Sequence, residues 1–317
     1  MKILITGVAG FIAHKVAELV LQDGREVVGI DNMNSYYDVS LKTYRLDRLL
    51  QYNNFTFIQA DIEDAPSLDN IFKKYGFTTV FNLAARAGVR YSLINPWVYF
   101  RTNVEGTLNI LECMKTYGVK KLVFASTSSL YSGSSMPFIE TMTVDKPISP
   151  YAASKKAAEV LAYTYYLQYG IDISILRYFT VFGPYGRPDM APYRFIKLIH
   201  ERKPITIYGD GSQLRDFTYI DDIAKGTVIS EKSLGYEIIN LGAGNSPISI
   251  NAFIGLIEKI SGLKAEMIYL PAHTADLDFT MADISKAASL LNWNSEIGVE
   301  EGLRRTMEDI NAFRFSL

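Results

Sequence analysis

The stretch KILITGVAGFIA, residues 2–13, runs a β-branched strand pattern straight into a glycine-spaced turn and the first apolar positions of a helix. Gly7 permits the tight turn, Gly10 lets backbone approach a pyrophosphate, and Ala13 stands where a third glycine often packs helix on sheet. The free N–H groups of a helix start then favour an anion. Taken alone, the pattern is also that of an ordinary strand-to-helix turn. Its context decides, because the second strand ends in Asp31, 24 residues after Gly7. A carboxylate there accepts the adenosine ribose hydroxyls and repels a 2′-phosphate, so the expected ligand is NAD rather than NADP.

Outward from this stretch, short β-branched runs alternate with amphipathic ones as far as residue 180, the pattern of βαβ units around a parallel sheet. Strands are expected at Lys2–Thr6, Glu26–Ile30, Phe55–Ile58, Thr79–Leu83, Leu122–Ser126 and Ser174–Tyr178, and helices near 11–23, 66–75, 97–117 and 151–169. The fold class is α/β: a Rossmann-type doubly wound parallel sheet of six or more strands, with a smaller C-terminal α/β lobe. Beyond Tyr178 the texture changes to FTVFGPYGRPDMAP, rich in Gly and Pro, and then to shorter mixed elements. The expected division is a dinucleotide-binding domain over 1–179, with part of 217–245 returning to it, and a substrate lobe over 180–317.

With 317 residues, about two domains are expected. Thirty-two Lys+Arg against 34 Asp+Glu leave a net charge of −2, which gives no ground for a nucleic-acid binder. A polyanionic small ligand must therefore be neutralised by a few local arginines. The single cysteine, Cys113, excludes an intramolecular disulfide, and with histidines only at 14, 200 and 273 no metal site is expected. No apolar run approaches the ~18 residues of a membrane span and no leader is visible, so a soluble cytoplasmic protein is expected.

Two further motifs carry chemistry. YAASK at 151–155 places Tyr151 and Lys155 four apart on one helix face, and ASTSS at 125–129 follows the fifth strand. A phenol of pKa ~10 is a poor base at neutral pH, and a nearby ammonium favours its ionised form. Thr127 is placed to hydrogen-bond a reacting alcohol oxygen and share its proton with Tyr151. Together with the spacing Gly-x-x-Gly-x-x-Ala, these motifs resemble the extended short-chain dehydrogenase/reductase superfamily. DNMNSYYD at 31–38, AGVRYSLINP at 87–96, RYFTVFGPYGRPDMA at 177–191, RDFTYIDD at 215–222 and FTMADISKA at 279–287 narrow the resemblance to NAD-dependent sugar-nucleotide epimerases, closest to UDP-glucuronate 4-epimerases.

The resemblance implies oxidation at C4 of a UDP-sugar by bound NAD, turning of the 4-keto sugar, and reduction on the other face. Its cofactor site comprises Gly7, Gly10, Phe11, Ile12, Asp31, Asn32, Asn34, Asp61, Ile62, Leu83, Ala84, Ala85, Asn103, Tyr151, Lys155 and Tyr178. Asp61 is open to a second reading as the cap of the following helix. Related 4,6-dehydratases and glucuronate decarboxylases carry an acid beside the catalytic threonine, whereas this chain has Ser128 and Ser129. A 4-keto uronate loses CO₂ when its carboxylate bond aligns with the ketone, so a clamp is required. Arg187 with Thr180, Ser128 and Ser129 is the expected one, the other reading of Arg187 being a loop arginine paired with Asp189. Arg215 and Arg194 are expected on the diphosphate or else in surface salt links. The resemblance gives Asp276 to the uridine ribose and Thr206–Tyr208 to the uracil. Arg90 is either a sugar-pocket or a surface residue. His14 is expected to be an exposed helix residue. Arg86 replaces a Gln common in the family and His273 a diphosphate-binding Arg. Other UDP-sugar epimerases, a decarboxylase and a non-catalytic NAD-bound sensor are the competing functions, the last disfavoured by Tyr151, Lys155 and Thr127 together. A homodimer through a four-helix bundle of 97–117 and 151–169 is the expected assembly.

Overall fold

The computed structural model describes residues 2–244, 247–272 and 279–312. Its centre is a seven-stranded parallel sheet. Six strands are β1 (Lys2–Thr6), β2 (Glu26–Asp31), β3 (Phe55–Gln59), β4 (Phe77–Asn82), β5 (Lys121–Thr127) and β6 (Asp172–Tyr178). The seventh, Tyr236–Leu241, pairs with β6, and the order is Tyr236–Leu241, β6, β5, β4, β1, β2, β3. Alternation along each strand fills two cores. Leu4, Val28, Val80, Leu122 and Phe124 meet the helices Ala65–Tyr75, Gly106–Tyr117 and Pro150–Tyr169 on one face. On the other, Ile3, Ile5, Val27, Phe81, Val123 and Leu176 meet the helices Phe11–Gln22, Ile220–Ile229 and Ser285–Leu291, with Trp293 beside them.

A third core holds the smaller lobe together. Phe182, Phe195, Phe217, Phe253, Leu303 and Met307 pack there, and Phe11 reaches into it from the first helix. The helix Ala191–His200 and the parallel strands Ile205–Tyr208 and Met267–Leu270 belong to this lobe.

Two local features differ from the sequence reading. The run 97–117 is continuous, but residues Arg101–Glu105 form a π-helical turn between the α-helices Trp97–Phe100 and Gly106–Tyr117. The wider turn brings Asn103 inward, where it is buried. A further helix, Val39–Leu49, is capped by Asp38, whose carboxylate accepts from Ser40 N. Among the described residues no helix is long and apolar enough to cross a membrane.

Candidate active site

Sheet order reverses at β1, which lies between β2 and β4, so the carboxyl ends of these strands open a crevice. A cavity of about 360 Å³ occupies it. Gly7, Gly10, Phe11, Ile12, Asp31, Asn32, Asn34, Asp61, Ile62, Leu83, Ala84, Ala85 and Tyr178 line one part. Thr127, Ser128, Ser129, Tyr151, Lys155, Thr180 and Arg187 line another part.

The dinucleotide end is shaped by glycine. Gly7 has φ +68°, and a Cβ there would stand 2.8 Å from Ala84 Cα. A Cβ on Gly10 would stand 2.8 Å from Gly7 O. No side chain caps the helix that starts at Phe11, so its first N–H groups are left for a ligand. A pyrophosphate fits this cradle, with negative charge against the helix start. Asp31 closes β2 and accepts from Ala9 N at 3.2 Å and Met33 N at 2.8 Å. Lys42, which the sequence reading did not single out, stands 3.5 Å from this carboxylate. Asp61 does not cap a helix. It accepts from Asn32 Nδ2 at 2.7 Å and Glu63 N at 2.9 Å, while Asp64 caps the helix Ala65–Tyr75. Asn103 does not line the cavity; it braces Arg86 N at 2.8 Å and Arg86 O at 2.9 Å.

The chemical end is set by β5 and the helix Pro150–Tyr169, whose start is capped by Ser149. Thr127 and Tyr151 line the cavity together, and Thr127 Oγ1 donates to Ser129 Oγ and accepts from Ser129 N, each at 3.1 Å. Burial raises the Tyr151 pKa, against the opposing pull of the neighbouring Thr127 hydroxyl and the Arg187 charge. Lys155 is enclosed, with Nζ 4.3 Å from the Phe124 ring centroid. Burial pushes its pKa down to about 7 against the attraction of Glu159. Glu159 accepts from Ser126 Oγ at 2.6 Å and from Arg177 Nε and Nη2 at 3.0 and 2.8 Å.

Arg187 is paired with Asp189, as its second reading had it, and it also lines the cavity. Its Nε and Nη2 bond Asp189, and Nη2 also donates to Ala87 O at 3.3 Å. Arg90, Arg194, Thr206, Tyr208 and Arg215 are not among the residues lining it. Four of them meet each other nearby in the fold: Arg90 stacks on Tyr208 at 4.0 Å, and Arg194 donates to Thr206 O at 3.3 Å. Arg215 Nη1 donates to Leu214 O at 2.9 Å. Asp276 and His273 lie outside the described residues. His14 is not exposed: the helix Val39–Leu49 packs beside it, its Nδ1 is 2.7 Å from Phe11 O, and burial holds its pKa down at about 3. It is a neutral structural residue. Arg86 also lines the cavity, as do Tyr36, Ala87, Gly88, Phe179 and Met190, whose signal in sequence is proximity to the motifs. Among the described residues no cluster of His, Cys, Asp or Glu is fit to hold a metal.

This crevice, with its glycine cradle, half-buried tyrosine and buried lysine, is that of a dinucleotide-dependent enzyme acting on an alcohol. Residues 3–242 match the NAD dependent epimerase/dehydratase family, and the chain belongs to it. It is 60% identical over 304 residues to a UDP-glucuronate 4-epimerase of Thermodesulfobacterium geofontis (strain OPF15), covering 96% of this chain and 94% of that one. The crystal structure of a UDP-glucuronic acid 4-epimerase from Bacillus cereus, in complex with UDP-glucuronic acid and NAD, superposes with a TM-score of 0.93 at 39% identity, covering 99% of this chain and 100% of the other. A UDP-glucose 4-epimerase from Thermotoga maritima, with UDP-glucose, gives 0.90 at 31%, covering 99% of each.

Proposed function

We propose that this chain is an NAD-dependent isomerase that inverts C4 of UDP-glucuronate to give UDP-galacturonate. The observation that carries the reading is that Thr127, Tyr151 and Lys155 line the same crevice as the glycine cradle, with serines rather than acids at 128 and 129.

NAD supplies a reversible hydride acceptor, returned to its starting state at the end of each turnover. The protein's part is proton transfer and restraint. Tyr151 takes the proton of the C4 hydroxyl, Thr127 holds that oxygen, and Lys155 presents its charge from the enclosed side of the helix. Asp31 accepts ribose hydroxyls at the adenosine end. Ser128 and Ser129 offer no acid or base for elimination across C5 and C6, which leaves loss of CO₂ as the side reaction to be restrained. Arg187 keeps its Nη1 outside its bonds to Asp189 and Ala87, and that edge grips the substrate carboxylate with Thr180, Ser128 and Ser129. Held there, the C5–carboxylate bond stays out of line with the ketone and CO₂ is retained. Residues 1–179, with the returning strand Tyr236–Leu241, hold the cofactor, and the lobe over 180–317 holds the nucleotide. Arg194 and Arg215 neutralise its diphosphate, with Arg90 at the sugar, Thr206 and Tyr208 at the uracil and Asp276 at the ribose.

Trp97, Leu108, Val160, Tyr163 and Leu167 are exposed apolar residues on the helices Trp97–Phe100, Gly106–Tyr117 and Pro150–Tyr169. This surface supports a homodimer in which two helices from each copy form a four-helix bundle. Incubating the purified protein with UDP-glucuronate and no added NAD tests the function. UDP-galacturonate is the expected product by anion-exchange chromatography; UDP-xylose, or no conversion beside active conversion of UDP-glucose, contradicts the assignment.

A further inference from the structure

We propose that Arg86 clamps the pyrophosphate of the bound dinucleotide and slows cofactor loss, an inference that rests on the NAD reading above. β2 and β4 flank β1, so the segments that leave their carboxyl ends lie on either side of the Gly7–Gly10 turn. Arg86 belongs to the segment after β4, two residues beyond Ala84, the residue a Gly7 Cβ would strike. Its side chain spans to the segment after β2: Nη1 donates to Asn34 Oδ1 at 3.2 Å and the guanidinium lies 4.3 Å from the Tyr36 ring centroid. The arginine therefore crosses the crevice beside the phosphate turn, and it lines the cavity there.

Its charge is uncompensated where it stands. Of the other cavity-lining cations, Lys42 faces Asp31, Arg187 is bonded to Asp189 and Lys155 is attracted by Glu159. No carboxylate reaches Arg86 within ion-pair distance among the described residues, and its Nε is buried without a partner. A desolvated guanidinium donor left unbonded is costly, and an anion in the crevice removes that cost. Two features hold the group ready. Asn103 pins the Arg86 backbone on both sides, and Asn34 is itself fixed by its bonds to Asn32. The substrate carboxylate is the competing anion, and Arg187 is the residue proposed above for it; Arg86 instead bonds Asn34, which follows the β2 that ends in Asp31.

The test is a chase experiment on the holoenzyme. Wild type, Arg86→Gln and Arg86→Lys are purified with bound NAD, mixed with excess isotopically labelled NAD, and the exchange rate is read by mass spectrometry at low and high salt. Losing a charge-assisted contact to phosphate predicts exchange roughly ten- to a hundredfold faster in Arg86→Gln. Arg86→Lys, which keeps the charge without the fork, falls between, and salt accelerates exchange more in wild type than in Arg86→Gln. Exchange rates within twofold of one another, with KM for UDP-glucuronate raised in Arg86→Gln, would reassign the arginine to substrate and overturn the proposal while leaving the cofactor reading intact. A wild-type protein that neither retains nor takes up NAD would overturn both.

Discussion

Replacing Glu159 with Gln keeps the shape of a buried side chain and removes only its charge. Glu159 and Arg177 are each about 1% exposed and joined by two bonds, with Ser126 supplying a third to the carboxylate. Burial works against the charge on Arg177, and its bonds and attraction to Glu159 outweigh that. In Glu159→Gln the guanidinium stays buried with its counter-ion gone, which costs about 3–5 kcal/mol by comparison with other broken buried pairs. The expected fall in Tm is on the order of 10 °C. Exposed carboxylates such as Glu296, paired with Lys225 at the surface, set the contrast: their loss is worth about 1 kcal/mol or less. The assay is urea unfolding of wild type, Glu159→Gln, and the cycle of Glu159→Met, Arg177→Met and the double variant Glu159→Met/Arg177→Met. The double variant is expected to be more stable than Glu159→Gln, because an apolar pair leaves no orphan charge. A Glu159→Gln protein within about 0.5 kcal/mol of wild type, or strict additivity in the cycle, would refute the claim that this pair anchors the helix carrying Tyr151 and Lys155.

Tyr151→Phe removes the proton acceptor and is expected to lower kcat by a factor of roughly 10²–10⁴, with bound NAD retained, as steady-state rates and cofactor content will show. Arg187→Ala should release more CO₂ per turnover from UDP-glucuronate, measured with substrate labelled in the carboxylate; full epimerase activity without extra CO₂ would sink the clamp. Lys155 has a folded pKa of about 7, below its ordinary 10.5, so between these values the unfolded chain binds more protons than the folded one. Stability from this group is lowest below pH 7 and rises with pH across that window, and Lys155→Met should flatten the rise in urea unfolding between pH 7 and 9.

What could be read in the sequence was local. Gly7 and Gly10 sit in one turn, Asp31 marks a strand end, and Tyr151 and Lys155 share a helix face by spacing alone. The helix Val39–Leu49 was legible too, in Asp38 and the spacing of Leu41, Leu46 and Leu49, but the aromatic and polar run before it hid the signal. The remainder depends on contacts between distant segments. Lys42 meets Asp31, Asn103 braces Arg86 from a π-turn that no periodicity announces, and Arg177 finds Glu159 only once β6 lies against the helix. His14 reads as a solvent residue on its own helix and is buried because another helix covers that face.

The central claim is that hydride leaves C4 of the sugar and returns to the same carbon on its other face, inside one crevice. UDP-glucuronate carrying deuterium at C4, turned over in ordinary water and followed by ¹H NMR, tests it most directly. UDP-galacturonate with deuterium kept at C4 is expected; protium at C4 of the product would contradict this route.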